Sequence, residues 1–221
     1  MRFGGPARIL FPALAAAALA LSPASGAGAR AVAARCARPP HAKALASDPD
    51  LRAWVRYGAG SGRPGSASAV VAVCGPPHGR TRDVFSSGAS SDFSTLEKVQ
   101  TAGPVLGFDA ESEDQYSESQ ELIVCDARGR RLLRTNVESW PIAQQAPSPG
   151  FDGYTIDGAG DVAWVETNAG ASAGGAQTLF LRTAAGRTTL ASASSITDVA
   201  LGGGEVTWDA DGSAASAPLD G

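Results

Sequence analysis

A small residue followed by a bulky aromatic recurs four times in this chain: Ala53-Trp54, Gly107-Phe108, Ala163-Trp164 and Thr207-Trp208. The aromatics are spaced 54, 56 and 44 residues apart. A recurrence at this period means one supersecondary unit copied in series, which narrows the architecture before any local propensity is weighed. The surroundings of each pair also repeat. A short β-prone run enters a turn rich in Gly, Pro or Asp, and the chain returns through the aromatic run. The paired runs are Ala42–Ala46 with Leu51–Val55, Lys98–Gln100 with Val105–Phe108, Tyr154–Ile156 with Val162–Val165, and Asp198–Leu201 with Glu205–Trp208. Residues that supply positive φ or a preset bend between two such runs are hairpin chemistry.

A second hairpin follows in the first three copies: Val70–Cys74 with Arg82–Phe85, Leu122–Cys125 with Leu132–Arg134, and Leu179–Leu181 with Thr188–Leu190. Their turns end in Gly79-Arg80, Gly129-Arg130 and Gly186-Arg187. Four strands in about 45–55 residues is the size of a propeller blade. The aromatic runs are apolar on both faces, as strands sandwiched between neighbouring sheets must be. Trp54, Phe108, Trp164 and Trp208 are therefore expected in the core, with the small neighbour of each on the opposite side, where backbones approach closely. No capped, 3.6-periodic window occurs in the mature chain. The expected fold is all-β: a small or incomplete β-propeller of about four four-stranded units, the last truncated after a third strand at Ser213–Leu219.

Residues 1–29 read as a secretory signal. Arg2 and Arg8 precede the apolar run Ile9–Leu21, and small residues follow, with Ala27-Gly28-Ala29 as the best cleavage site and Ser25-Gly26-Ala27 as the runner-up. A membrane anchor is the alternative, but the run is short of the roughly 20 apolar residues that span hydrocarbon. Cleavage leaves one repeat domain over residues 30–221, secreted or otherwise extracytoplasmic and without a membrane span. Loss of two arginines takes the net charge from −4 to −6, which disfavours a nucleic-acid or anionic-lipid partner.

Export permits disulfides among Cys36, Cys74 and Cys125. A Cys36–Cys74 bridge would pin the N-terminal segment onto the first unit. A Cys74–Cys125 bridge would join equivalent third strands, and three unpaired cysteines are the remaining possibility. An open fourth unit leaves an edge that needs cover. Residues around Arg35–Arg38 are expected to pair with the last unit and close the ring; an open solenoid, or a ring completed by dimerisation, are the rival arrangements.

With the stretch Asp161–Val206 in view (VAWVE, then QTLFLRTAAGRTTLASASSITDVALGGGEV), the layout resembles the WD40-like β-propeller repeat of TolB-type periplasmic proteins. That family places a Pro-Asp-Gly turn before an Ile-Ala-Phe-like strand. The turns here are Asp48-Pro49-Asp50, Gly103-Pro104, Gly160-Asp161 and Gly204-Glu205. The resemblance covers about Lys43 to the end. It implies a scaffold for protein or ligand binding and carries over no catalytic residue.

Motifs that carry chemistry are sparse. The two histidines, His41 and His78, lack a G-x-S-x-G elbow or any metal-ligand spacing, and no phosphate-cradling loop or cofactor motif occurs. Asp109, Glu111, Glu113, Asp114 and Glu118 crowd what reads as a loop after the second aromatic strand. Such oxygens could hold Ca²⁺, and the plainer reading, a solvated self-repelling loop, is the one taken. Asp209-Ala210-Asp211-Gly212 is likewise read as a hairpin turn. The connections Tyr57–Ser68, Asp109–Gln120 and Thr167–Gln177 join equivalent strands, so they should emerge at one end, where loops on a rigid scaffold carry recognition. Tyr57, Asp109, Glu111, Glu113, Asp114 and Tyr116 are the candidate binding residues. The expected function is a non-catalytic secreted or envelope scaffold that binds a protein or glycan. The alternatives are a glycan-active hydrolase using carboxylates drawn from Asp109, Glu111, Glu166 and Asp209, and a structural remnant of a longer propeller.

Overall fold

A computed structural model of the chain describes residues 36–59, 67–75, 79–87, 93–113, 117–141, 150–167 and 176–219. The expected signal segment lies outside these residues, as do His78, Asp114 and Tyr116. Among the described residues there is no helix, and the strands form four antiparallel meanders in chain order. The first sheet is β1 (Lys43–Asp48), β2 (Leu51–Ala59), β3 (Ala67–Cys74) and β4 (Arg82–Ser86). The second is β5 (Phe93–Ala102), β6 (Val105–Glu113), β7 (Ser117–Asp126) and β8 (Arg131–Pro141). The third is β9 (Gly150–Ile156), β10 (Val162–Thr167), β11 (Gln177–Thr183) and β12 (Gly186–Ala193). The fourth has three strands, β13 (Ile196–Gly202), β14 (Glu205–Ala210) and β15 (Ser213–Pro218).

Sheets pack in sequence. β1 and β3 lie on β5, β5 lies on β9, and β9 and β10 lie on β13. The leading strand of each sheet therefore meets the leading strand of the next, as inner strands of propeller blades do around an axis. No substantial packing joins the first sheet to the fourth among the described residues. The arrangement is an all-β, incomplete propeller of four sheets.

Alternation along each aromatic strand explains why the stack holds. Leu51, Ala53 and Val55 of β2 share a core with Leu106, Phe108 and Ala110 of β6. Val105 of β6 shares the next core with Tyr154 and with Val162 and Trp164 of β10. Ala163 and Val165 share the third with Val206 and Trp208 of β14. Each bulky ring thus points to the preceding sheet, and its small neighbour points to the following one. At Gly107 the fit is tight: a Cβ there would lie 2.6 Å from Cε2 of Tyr154. Phe108 meets Phe85 of the first sheet edge to face, with centroids 5.7 Å apart. Trp164 is fully buried, and its indole N–H donates to Glu166 Oε1 at 2.6 Å.

Among the described residues, Trp54 has no preceding sheet. It is buried instead with Ala42, Cys74 and Cys36, beneath the segment Cys36–Ala42. The disulfide Cys36–Cys74 pins that segment, Thr81 Oγ1 donates to Ala37 O at 3.2 Å, and Arg38 Nε donates to Ala42 O. Two expectations are corrected here. Cys36–Arg38 form no strand and lie on the first sheet rather than pairing with the last, because the bridge commits them to β3. A Cys74–Cys125 bridge is excluded by sidedness: Cys74 lies on the outer face of the first sheet, whereas Cys125 packs against its inner face. Cys125 is a free buried thiol whose pKa burial pushes up to about 12.

Strand limits are corrected as well. β2 runs past Tyr57, and β6 and β7 stay paired out to Glu113 opposite Glu118, so the acidic stretch is mostly strand. In β5 and β13 the register shifts between Glu97 and Gln100 and between Thr197 and Ala200. Lys98 and Asp198 occupy those two bulges with φ of 48° and 52°. A bulge re-aims a side chain without ending the ladder, and both residues occupy the same place in their units.

The bridge closes a loop of sequence separation 38, so replacing Cys36 and Cys74 by Ser should cost about 2–4 kcal/mol. Denaturant melts check the value, and a red shift of Trp54 emission should accompany it. Equal stability with and without the bridge would contradict the capping role.

Candidate functional site

The seam between the second and third sheets holds a polar cluster built by the bulge in β5. Strand alternation aims Val105, Gly107 and Asp109 of β6 at the third sheet. On the facing strand, Phe151 and Tyr154 of β9 stack with centroids 5.8 Å apart. Lys98, turned by its bulge, reaches across: Nζ donates to Phe151 O at 2.5 Å and stands 4.7 Å from the Phe151 ring centroid. The Tyr154 hydroxyl returns a hydrogen bond to Lys98 O, and Gln100 Nε2 donates to Tyr154 O at 2.8 Å. Three side-chain bonds therefore stitch β5 to β9 beside the buried carboxylate.

Asp109 is the one buried acid among the described residues, 1 % exposed. Gln120 Nε2 donates to its Oδ2 at 2.5 Å, while Oδ1 is buried with no partner. Desolvation raises its pKa from 3.8 to about 6, against the opposing pull of the Gln120 bond and the Lys98 charge. Glu111 and Glu97 add to the rise. Burial pushes the Tyr154 phenol above its usual range, and the Asp109 charge pushes it further. A carboxyl titrating near pH 6 is suited to holding a proton that the surroundings can add or remove near neutrality.

The other sequence-predicted residues divide. Tyr57, 48 % exposed, is the large apolar side chain left in solvent among the described residues. It sits in β2 opposite Ala69, two residues before the strand ends. Glu111 is half-buried and accepts from Thr95 Oγ1 at 3.3 Å. Glu113 ends β6. Antiparallel topology puts the ends of β2, β6 and β10 on one side of the stack, so Tyr57 and the Asp109–Glu113 run share that end.

Two members of the carboxylate set are committed to structure. Glu166 holds the Trp164 indole and lies 3.7 Å from Arg187, whose guanidinium covers the Phe180 ring at 4.0 Å. Asp209 accepts from Gly212 N at 2.7 Å, closing the β14–β15 turn as expected for a hairpin. The four acids lie on three different sheets. Among the described residues, no group of three His, Cys, Asp or Glu is placed to hold a metal ion.

Sequence reasoning missed Lys98, Gln120 and Tyr154. A signal existed: Lys98 and its partners Phe151 and Tyr154 are 53 and 56 residues apart, close to one repeat. In comparisons with protein families, curated proteins and solved structures, no match emerges.

Folding raises the Asp109 pKa, so between about pH 4 and pH 6 the native chain keeps a proton that the unfolded chain has released. The stability tied to that proton is complete below pH 4 and lost as pH rises through 6. The difference amounts to roughly 3 kcal/mol. Asp109→Asn should therefore gain stability relative to wild type by up to that amount on going from pH 4 to pH 7.5. Urea melts at the two pH values measure it, and a gap independent of pH would refute the assignment.

Proposed function

We propose that this chain is a secreted or envelope-associated binding scaffold, a degenerate relative of the TolB-type propeller repeat, whose recognition face is the end that carries Tyr57 and the Asp109–Glu113 run. The observation that carries the reading is Tyr57. Tyr57 is a large aromatic held on a strand and left half exposed, and aromatics anchor protein and glycan contacts at low entropic cost. Glu111, half-buried in β6 at the same end, adds an acceptor for hydroxyl or cationic groups. The disulfide Cys36–Cys74 supports an oxidising compartment.

Glu111 and Tyr57 can be changed without touching the inter-sheet cores. Tyr57→Ala should leave thermal stability within about 0.5 kcal/mol of wild type and abolish retention of the envelope or medium ligand on the immobilised mature chain. Glu111→Gln should weaken it. Equal retention by wild type and Tyr57→Ala would remove the recognition face from that end.

A carboxylate-dependent glycan hydrolase is the second reading, favoured by one observation, the raised pKa of Asp109. It predicts turnover of an oligosaccharide that disappears in Asp109→Asn although the fold persists. Binding without turnover on a glycan panel selects the scaffold.

A further inference from the structure

Each internal boundary of the stack joins a following-side face to a preceding-side face, and the two terminal faces lack such a partner among the described residues. On the fourth sheet, Val206, Trp208 and Ala210 pack against the third sheet, so Glu205, Thr207 and Asp209 point away. With Asp198, Ala214 and Ser216 they line one shallow, open concavity. Thr207 occupies the place held by Ala53, Gly107 and Ala163 at the internal boundaries, the place that admits a neighbouring sheet. Small residues on β15 keep the face flat, and its three charged groups are all acids.

The first sheet presents the opposite sign. Leu51, Ala53 and Val55 face the second sheet, so Arg52, Trp54 and Arg56 point outward. The Cys36–Ala42 cap covers Trp54 and leaves Arg52 and its own Arg38 exposed. Arg56 is partly exposed and holds Asp83 at 3.1 Å. Three guanidiniums against one carboxylate make this end cationic on a chain whose net charge is −4.

We propose that a second copy of this chain docks on the Glu205–Thr207–Asp209 face through its Arg38–Arg52–Arg56 end, head to tail. Opposite signs at the two ends favour a heterologous contact and oppose pairing of like ends. Two copies satisfy both ends at once and close a two-fold ring of eight sheets, two sets of four, inside the span of about four to eight blades that propellers adopt. The pairing is independent of the recognition face, which lies at the strand ends rather than on a sheet face.

Sedimentation velocity of the oxidised, purified protein across the micromolar range tests the proposal. Wild type should form a dimer that dissociates as salt rises. Two variants, Glu205→Lys/Thr207→Lys and Arg52→Glu/Arg56→Gln, should each raise the dissociation constant about tenfold or more. Mixed together, they should associate again, because each supplies the end the other has lost. The single variants Thr207→Lys and Arg52→Glu give the same reading if a double variant melts early, and far-UV circular dichroism verifies the fold of each. A monomer at every concentration, or a dimer indifferent to both reversals, overturns the proposal. So does a monomer in which the reversals alter only thermal stability, since that assigns the two faces to closure within one chain.

Discussion

Within each aromatic strand of this molecule, a residue with little or no side chain sits among the larger apolar residues that face the following sheet. Gly107 shows this directly, because the Tyr154 ring occupies the space a Cβ would need. Ala53 and Ala163 play the same part at the other boundaries. With that space open, the bulky ring on the next residue can fill the boundary on the other side of its own sheet. One dipeptide therefore sets both spacings of a sheet at once. Burying an aromatic is worth on the order of 1.5–3 kcal/mol, but that gain is available only if the adjacent boundary closes to contact distance.

The same rule dictates what happens at the ends. The first ring, Trp54, has no sheet before it among the described residues and is covered by the disulfide-pinned segment Cys36–Ala42. The last small position, Thr207, has no sheet after it among the described residues and lines an open concavity with carboxylates. Terminal units of stacked repeats commonly turn polar on the outer side. Here the two outer sides carry opposite charge, a difference that solubility alone does not require.

Much of this architecture was legible because the aromatic runs are apolar on both faces, and few structures other than a sheet between sheets demand that. Of the three cysteine arrangements left open by the sequence, the one that holds a loose segment on the first unit, Cys36–Cys74, is the one formed. Strand extensions were harder. Tyr57–Ala59 leads into a Gly/Ser-rich stretch with no hydrophobic period, and Asp109, Glu111 and Glu113 were read as a solvated loop on account of their charge. Their alternation with Ala110 and Ser112 is the period of a strand, and Asp109 is buried against the third sheet. The bulge that turns Lys98 across the seam left no local trace, since positive φ at a lysine is unsupported by any propensity. Ligand identity is encoded in shape at the strand ends rather than in periodicity, which is why reading the repeat does not supply it.

Asp109 ties the packing rule to the chemistry. It follows Gly107 on the same face of β6, so the tight boundary that admits the Tyr154 ring is also what strips water from the carboxylate. A double-mutant cycle on Gly107→Ala and Tyr154→Ala, read by equilibrium unfolding, tests the close approach most directly. The account predicts strong non-additivity: the added methyl is destabilising by about 1–3 kcal/mol opposite the ring and nearly harmless once the ring is gone. Strictly additive effects would show that the two sheets do not meet at that glycine and would contradict the packing rule.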